Sequence, residues 1–288
     1  MRKYVLLAFA VVVVAACQKI ELPDDYVDDD GLAYKLTRFS FDGDFGNDVF
    51  TRGSMSADGR DMTDLWVFDY VDDDLVQMVH QSSDDDDFGE PELFLSYGAH
   101  HLYFVASRGV NPSVDDVDHV ITWSSVRDTF WGDYTLNVSE SSAVDHDVEL
   151  GRVVARLKVL LDDVIPSGLS SLTVTPETWY YGLDYLDGSM VQDENDVPVT
   201  VSVPASYIGT SGTVYVSVFT ISDATEWTTD FTVTAKKSDS SVMGTVSITN
   251  APLKANRTTG YSGRLLSAPE SFGLTLDDGW MSDINLTW

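Results

Sequence analysis

From Tyr34 onward the chain is organised by a two-residue alternation of apolar and polar positions. In "VVARLKVLL", Val153, Ala155, Leu157, Val159 and Leu161 fall on one face of an extended strand, and Arg156 and Lys158 fall on the other. "FTVTAKK" sets Phe231, Val233 and Ala235 against Thr232, Thr234 and Lys236 in the same way. "TVYVSVFTI" places Val214, Val216 and Val218 opposite Tyr215, Ser217 and Phe219, and two apolar faces predict a strand in the middle of a sheet. "LWVFDY", "LVQMVHQ", "HLYFVASR" and "HVITWSS" add strand-length runs to the first half, separated by clusters of Asp, Gly and Ser. No convincing amphipathic helix follows the first 16 residues. Many short strands with turn signals between them predict an all-β fold of β-sandwiches, and 288 residues suffice for two. The charged stretch "DHDVELGR" precedes the strongest strand of the second half, which sets the expected division at 33–150 and 151–288.

The N-terminal pattern is different. Arg2 and Lys3 are followed by Tyr4 to Ala16 without a charged side chain. That is the length of the apolar core of a secretion signal, and it is short for a transmembrane helix, which needs about 20 apolar residues. Ala15 and Ala16 precede Cys17, the only cysteine, so the stretch resembles the bacterial lipoprotein signal Leu-(Ala/Ser)-(Gly/Ala)-Cys, with Val14 where Leu is commonest. A lone cysteine makes no internal disulfide, and a place directly after an apolar run suits neither a catalytic nucleophile nor a buried filler. The expectation is a signal peptide over 1–16 and a mature chain that begins at a lipid-modified Cys17, held on a membrane by several acyl chains. An ordinary secretion signal that ends near a cysteine is the alternative. Residues 17–32, acidic and without regular apolar pattern, are expected to form a tether.

Charge narrows the partners. With 47 acidic and 17 basic residues the formal net charge is −30, and loss of Arg2 and Lys3 with the signal would make it more negative. Nucleic acid is not an expected partner, because phosphate binding needs clustered Lys and Arg and the only adjacent lysines are Lys236 and Lys237. Contact of the folded body with anionic headgroups is disfavoured for the same reason. The acidic runs at 28–30, 72–74 and 84–87 fit solvated loops. A calcium loop starting at Asp84 would have Gly89 at its sixth place but Leu95 where a bidentate Glu should close it.

Signatures of catalysis are missing from the sequence. It has no Gly-Lys dipeptide for a phosphate-binding loop and no His-Glu-x-x-His, and "GYSGR" lacks the last glycine of a nucleophile elbow. His100 and His101 are adjacent, and neighbours on a strand point to opposite faces, which makes them a poor shared metal site. No catalytic, metal or cofactor residue is assigned, and no enzyme activity is expected. The aromatic clusters "DTFWGDY" and "ETWYYGLDY" could stack on sugars through Trp131, Tyr134, Trp179 and Tyr180. Sandwich core and sheet-edge packing is the plainer account of the same residues.

"LWVFDYVDDDLVQMVHQ", "LFLSYGAHHLYFVASRG", "RVVARLKVLLDDVIP" and "LKANRTTGYSGRLLS" with "DDGW" resemble FimB/Mfa2-type fimbrial lipoproteins of the fimbrillin superfamily of Bacteroidetes, over nearly the whole mature chain. The resemblance implies two transthyretin-like (or Ig-like) β-sandwich domains following a lipoprotein signal peptide and a lipid anchor in the outer membrane at the cell surface. It also implies a role as fimbrial anchor or subunit, assembled with other fimbrial subunits by strand exchange, and adhesion to a host or bacterial surface receptor. "YKLTRFSF" (34–41) and "SFGLTL" (271–276) are the candidate exchanging segments. Shaft pilins of the superfamily lose their first segment by cleavage after an arginine, and Arg38, Arg52 and Arg60 are available here; any of them could equally be an ordinary surface residue. A surface carbohydrate-binding lipoprotein is the alternative reading.

Overall fold

Strand-favouring alternation is realised almost throughout the computed structural model, which describes residues 25–27, 31–42, 62–192, 198–267 and 272–277. The first half contains β1 (Asp25–Val27), β2 (Ala33–Asp42), β3 (Asp64–Val71), β4 (Asp74–Ser82), β5 (Glu92–Ser96), β6 (Gly98–Ser107), β7 (Val110–Asp115), β8 (Val120–Ser125), β9 (Thr129–Val138), β10 (Asp145–Glu149) and β11 (Gly151–Arg152). The second half contains β12 (Val154–Leu161), β13 (Leu169–Pro176), β14 (Tyr180–Asp184), β15 (Met190–Gln192), β16 (Val199–Ser202), β17 (Val214–Ile221), β18 (Trp227–Lys237), β19 (Val242–Leu253), β20 (Thr258–Gly263) and β21 (Gly273–Asp277). One short 3-10 turn, Ala205–Tyr207, is the only helical element among the described residues.

An antiparallel sheet in the order β11-β9-β6-β3-β4 forms the middle layer of the first half. Its inner face (Leu65, Val67, Leu102, Phe104, Ala106, Phe130) packs on Phe39, Phe41, Leu93, Leu95 and Val148 of a smaller sheet. In that smaller sheet β2 is central, with antiparallel β5 on one edge and antiparallel β1 and parallel β10 sharing the other. The outer face of the middle sheet is covered too, because Trp66, Phe68, Tyr70 and Val105 join the core of the second half. This double covering explains why "LWVFDY" is apolar at nearly every position.

The second half pairs two four-stranded sheets, β17-β12-β20-β21 and β16-β13-β18-β19. Leu157, Val159, Leu161, Leu172, Val174, Phe231, Val233 and Ala235 meet between them. A further sheet, β15-β14-β8-β7, draws two strands from each side of residue 150. Arg152 strengthens the same junction: its Nε and Nη2 donate to Asp128 at 2.7 and 3.1 Å, and its Nη1 donates to Asn256 Oδ1 at 2.8 Å.

Three local features depart from the sequence pattern. Asp25–Val27, inside the expected tether, pairs antiparallel with β2 as β1, since backbone pairing needs no apolar pattern. The charged stretch read as a boundary is itself a strand, β10, whose Val148 is buried while Asp145, Asp147 and Glu149 face water. β17 is apolar on both faces yet lies at a sheet edge, because the chain entering β14 covers that edge: Trp179 Nε1 donates to the Phe219 carbonyl at 2.8 Å, and Tyr180 N donates to Thr220 Oγ1 at 3.0 Å.

Candidate functional site

The outer face of the middle sheet is covered at one end and open at the other. At the open end β3 runs into β4 through two residues only, since Val71 pairs directly with Asp74. A two-residue hairpin turn of type I′ needs positive φ at both positions, which Asn-Gly normally supplies. Here the residues are Asp72 and Asp73, at φ 49° and 68°, and His119 in the facing β7–β8 turn stands at 60°. The left-handed conformation costs an L-residue on the order of 1 kcal/mol, least for Asp and Asn, which type I′ turns accept in place of Gly.

These two turns border a pocket of about 670 Å³, within the roughly 300–1,000 Å³ typical of small-ligand sites. Tyr70, Asp72, Asp73, His101, Tyr103 and His119 line it, and Asn137 and Leu186 add an amide and an apolar side chain. The aromatic groups support one another. His101 and Tyr103 stack with ring centres 4.3 Å apart, and Tyr70 meets Tyr103 edge-on at 5.6 Å. The Tyr103 hydroxyl donates to His101 Nδ1 at 3.1 Å, and His101 Nε2–H donates to Asp133 at 3.0 Å. Burial first, then the charges of Asp133, Asp73 and Asp184 and contact with Tyr70, hold the Tyr103 phenol above its ordinary pKa, so it stays a protonated donor. Behind the pocket Tyr70 and Tyr185 share a hydroxyl contact of 3.2 Å; burial, that hydrogen bond and the charges of Asp116 and Asp184 raise Tyr185 as well.

His100, one position from His101, points to the opposite face, so the adjacent pair is split as strand geometry requires. Its Nδ1 lies 2.7 Å from Asp69 Oδ1, and Nε2 lies 2.8 Å from the Ser96 carbonyl and 3.3 Å from Ser96 Oγ. Asp69, His100 and Ser96 thus have the composition of a nucleophile triad but not its function. Both ring nitrogens face acceptors, so both donate, and the ring has no lone pair with which to accept a proton from Ser96. Burial opposes this charge, but the hydrogen bond and charge of Asp69 and the Ser96 carbonyl outweigh it, and the pKa of His100 is raised. The side chains of His100 and Asp69 are 1% and 2% exposed, which makes this a structural ion pair. No cluster of three or more metal-ligating side chains occurs among the described residues, the acidic turn at 84–87 included.

The residues expected from sequence to stack on sugars do not converge. Trp179 is 2% exposed and fills the second core, so it has no open face; this corrects its assignment. Tyr180 is half-buried, edge-on to Trp227 at 5.2 Å. Trp131 donates from Nε1 to the Tyr185 carbonyl at 2.8 Å and is covered by the turn at Gly188, while Tyr134 packs against Phe39 and contacts His146 in the other layer. Arg38 lies inside β2, its Nε donating to Glu92 at 2.7 Å and its neighbour Phe39 buried, so a protease would have to open the strand to reach the following bond. Cys17, Arg52 and Arg60 lie outside the described residues. What sequence reasoning missed was the Tyr70, Asp72, Asp73, His101, Tyr103 and His119 set, whose one local signal was a two-residue turn made of Asp-Asp.

A family model described as a family of unknown function (DUF6562) matches residues 110–288. The chain belongs to that family. The DUF6562 match begins at the first residue of β7, so it includes the hairpin whose sheet β14 and β15 complete. Comparison with curated proteins found no match. Among crystal structures, a candidate polysaccharide-binding protein from Bacteroides thetaiotaomicron is similar at TM-score 0.53 and 11% identity, over 80% of this chain and 92% of that one. A candidate adhesin from the same organism is similar at TM-score 0.51 and 12% identity, over 86% of this chain and 97% of that one. The fimbrial anchor protein Mfa2 from Porphyromonas gingivalis aligns over 85% of this chain and 98% of that one at 8% identity and TM-score 0.48, too loose a likeness to carry an assignment. At these identities the shared property is the fold.

Proposed function

We propose that the chain is a non-catalytic cell-surface adhesion protein of the fimbrial kind, held in the outer membrane by lipid on Cys17 and joined to other fimbrial subunits by strand exchange. The observation that carries this reading is the likeness, over nearly the full length of the relative, to a crystal structure described as a candidate adhesin. The lipoprotein-type stretch ending at Cys17 supports the anchor. Strand exchange is supported by the position of two segments. β2 lies between β5 on one edge and β1 and β10 on the other, so its departure would leave unpaired ladders and an apolar groove on both sides. β21 pairs only with β20 among the described residues, and its Leu274 is 49% exposed.

A second reading, a surface carbohydrate-binding lipoprotein, is favoured by the aromatic and carboxylate lining of the pocket. The experiment that tests the anchor is mass spectrometry of the mature N-terminus on protein taken from the cells that make it. Lipidated Cys17 is the expected terminus, and it should disappear, with surface retention, in Cys17→Ala. An unmodified terminus, or retention unaffected by Cys17→Ala, would contradict the reading.

A further inference from the structure

We propose that the pocket bordered by the Asp72–Asp73 and His119 turns binds a terminal residue of a neutral saccharide, which packs on Tyr103 and His119 and donates its hydroxyls to Asp72 and Asp73. The proposal deepens the adhesion reading and rests on it. Sugar rings offer two kinds of surface, an apolar patch of C–H groups and a rim of hydroxyls. The first suits the faces and edges of aromatic rings, and the second suits ionised carboxylates, which accept the strongest hydrogen bonds available to a hydroxyl. This pocket supplies both within one volume, with Asn137 as an amide able to donate and accept.

Charge selects among sugars. Asp72 and Asp73 line the pocket, and Asp133 and Asp184 lie close enough to act on the phenol of Tyr103. No arginine or lysine is among the lining residues. A uronic or sialic acid would add a carboxylate to this field with only histidines, His100 already paired with Asp69, to offset it, so acidic saccharides are disfavoured relative to neutral ones. The left-handed Asp72 and Asp73 fit the same account. Glycine at either place would ease the turn but would remove the carboxylate that the ligand needs.

The test is isothermal titration of the purified full chain with gluco-, manno-, galacto- and xylotriose, and with trigalacturonate as the acidic counterpart of galactotriose. At least one neutral trisaccharide should bind, and trigalacturonate should bind about tenfold or more weakly than the best neutral probe at low salt. Asp73→Gly should weaken binding about tenfold or more while leaving the thermal midpoint equal or raised, so misfolding is not an explanation for the loss. Tyr103→Phe should bind, and Tyr103→Ala should not. Silence from every neutral probe, equal binding of trigalacturonate, or binding unchanged in Asp73→Gly and Tyr103→Ala would each overturn the proposal. Cells whose attachment persists with the Asp73→Gly chain but is lost on deletion of the chain would refute the pocket and leave the adhesion reading standing. Attachment that survives the deletion would remove that reading itself.

Discussion

Asp163 offers the sharpest test of how the second half is held together. It lies two residues after the end of β12, is 1% exposed, and accepts backbone N–H groups of Leu265 (2.5 Å), Leu266 (3.0 Å) and Ser267 (2.9 Å) as well as Ser267 Oγ–H (2.6 Å). One carboxylate therefore holds the chain as it leaves β20, roughly a hundred residues away in sequence. Asp163→Ala removes all four bonds at once. The Leu265 N–H is left deep in the core, at about 1–3 kcal/mol, whereas Leu266 is half-buried and Ser267 exposed, so their groups can recover part of their loss from water. The expected total is about 3–5 kcal/mol, a large part of the roughly 5–15 kcal/mol that a domain possesses. For a body of this size that is a fall of about 10 °C in Tm. The assay is urea unfolding followed by tryptophan fluorescence, together with amide exchange at Leu265, Leu266 and Ser267, which should lose protection before the rest. Burial alone would raise the pKa of Asp163, but its hydrogen bonds outweigh burial and hold it below 3.8. The contribution is therefore present above the unfolded-state pKa and vanishes as pH falls through the folded-state value, so the gap between wild type and variant should close on acidification. A loss under about 1 kcal/mol, or a gap that widens at low pH, would refute the reasoning.

Two further predictions follow from the same kind of argument. The raised pKa of His100 means that its ion pair with Asp69 stabilises fully below pH 6.5 and fades as pH rises through the folded-state value; chemical unfolding measured from pH 6 upward, about half a unit below that reference, should show this slope in wild type but not in His100→Gln, and equal slopes would contradict it. At Gly188, φ is 72° and a Cβ would stand 2.9 Å from two atoms of the Trp131 ring, so Gly188→Ala should cost about 2–3 kcal/mol and displace Trp131, read as a shift in its fluorescence and a lower Tm; an unchanged midpoint would mean that this turn does not hold Trp131.

The regular strands were the legible part of this fold. Phe231, Val233 and Ala235 are buried against half-exposed Thr232, Thr234 and Lys236, as the alternation in "FTVTAKK" implies. Strands held mainly by backbone pairing were not legible. β10 is mostly polar because only Val148 and the following Leu150 reach the core, and β1 needs no side-chain pattern at all. β17 was misplaced because two apolar faces reveal covering but not what does the covering; here it is the chain around Trp179 rather than another strand. The pocket could not be assembled from sequence, since Tyr70, Tyr103, His119 and Asn137 come from separate strands and turns that only the sheet order brings together. Aromatic residues adjacent in sequence were the wrong guide: neighbours on a strand face opposite layers, whereas residues two apart, His101 and Tyr103, share a face.

The central claim, membership of an adhesive surface fibre, is tested most directly by shearing fimbriae from the cells that make this chain and probing the purified fibres, and the residual outer membrane, with an antibody to it. The account predicts the chain in the fibres or at their base together with other subunits, and fewer or detached fibres with lost attachment in a deletion strain. Fibres free of the chain, with normal number, anchorage and attachment after deletion, would contradict it.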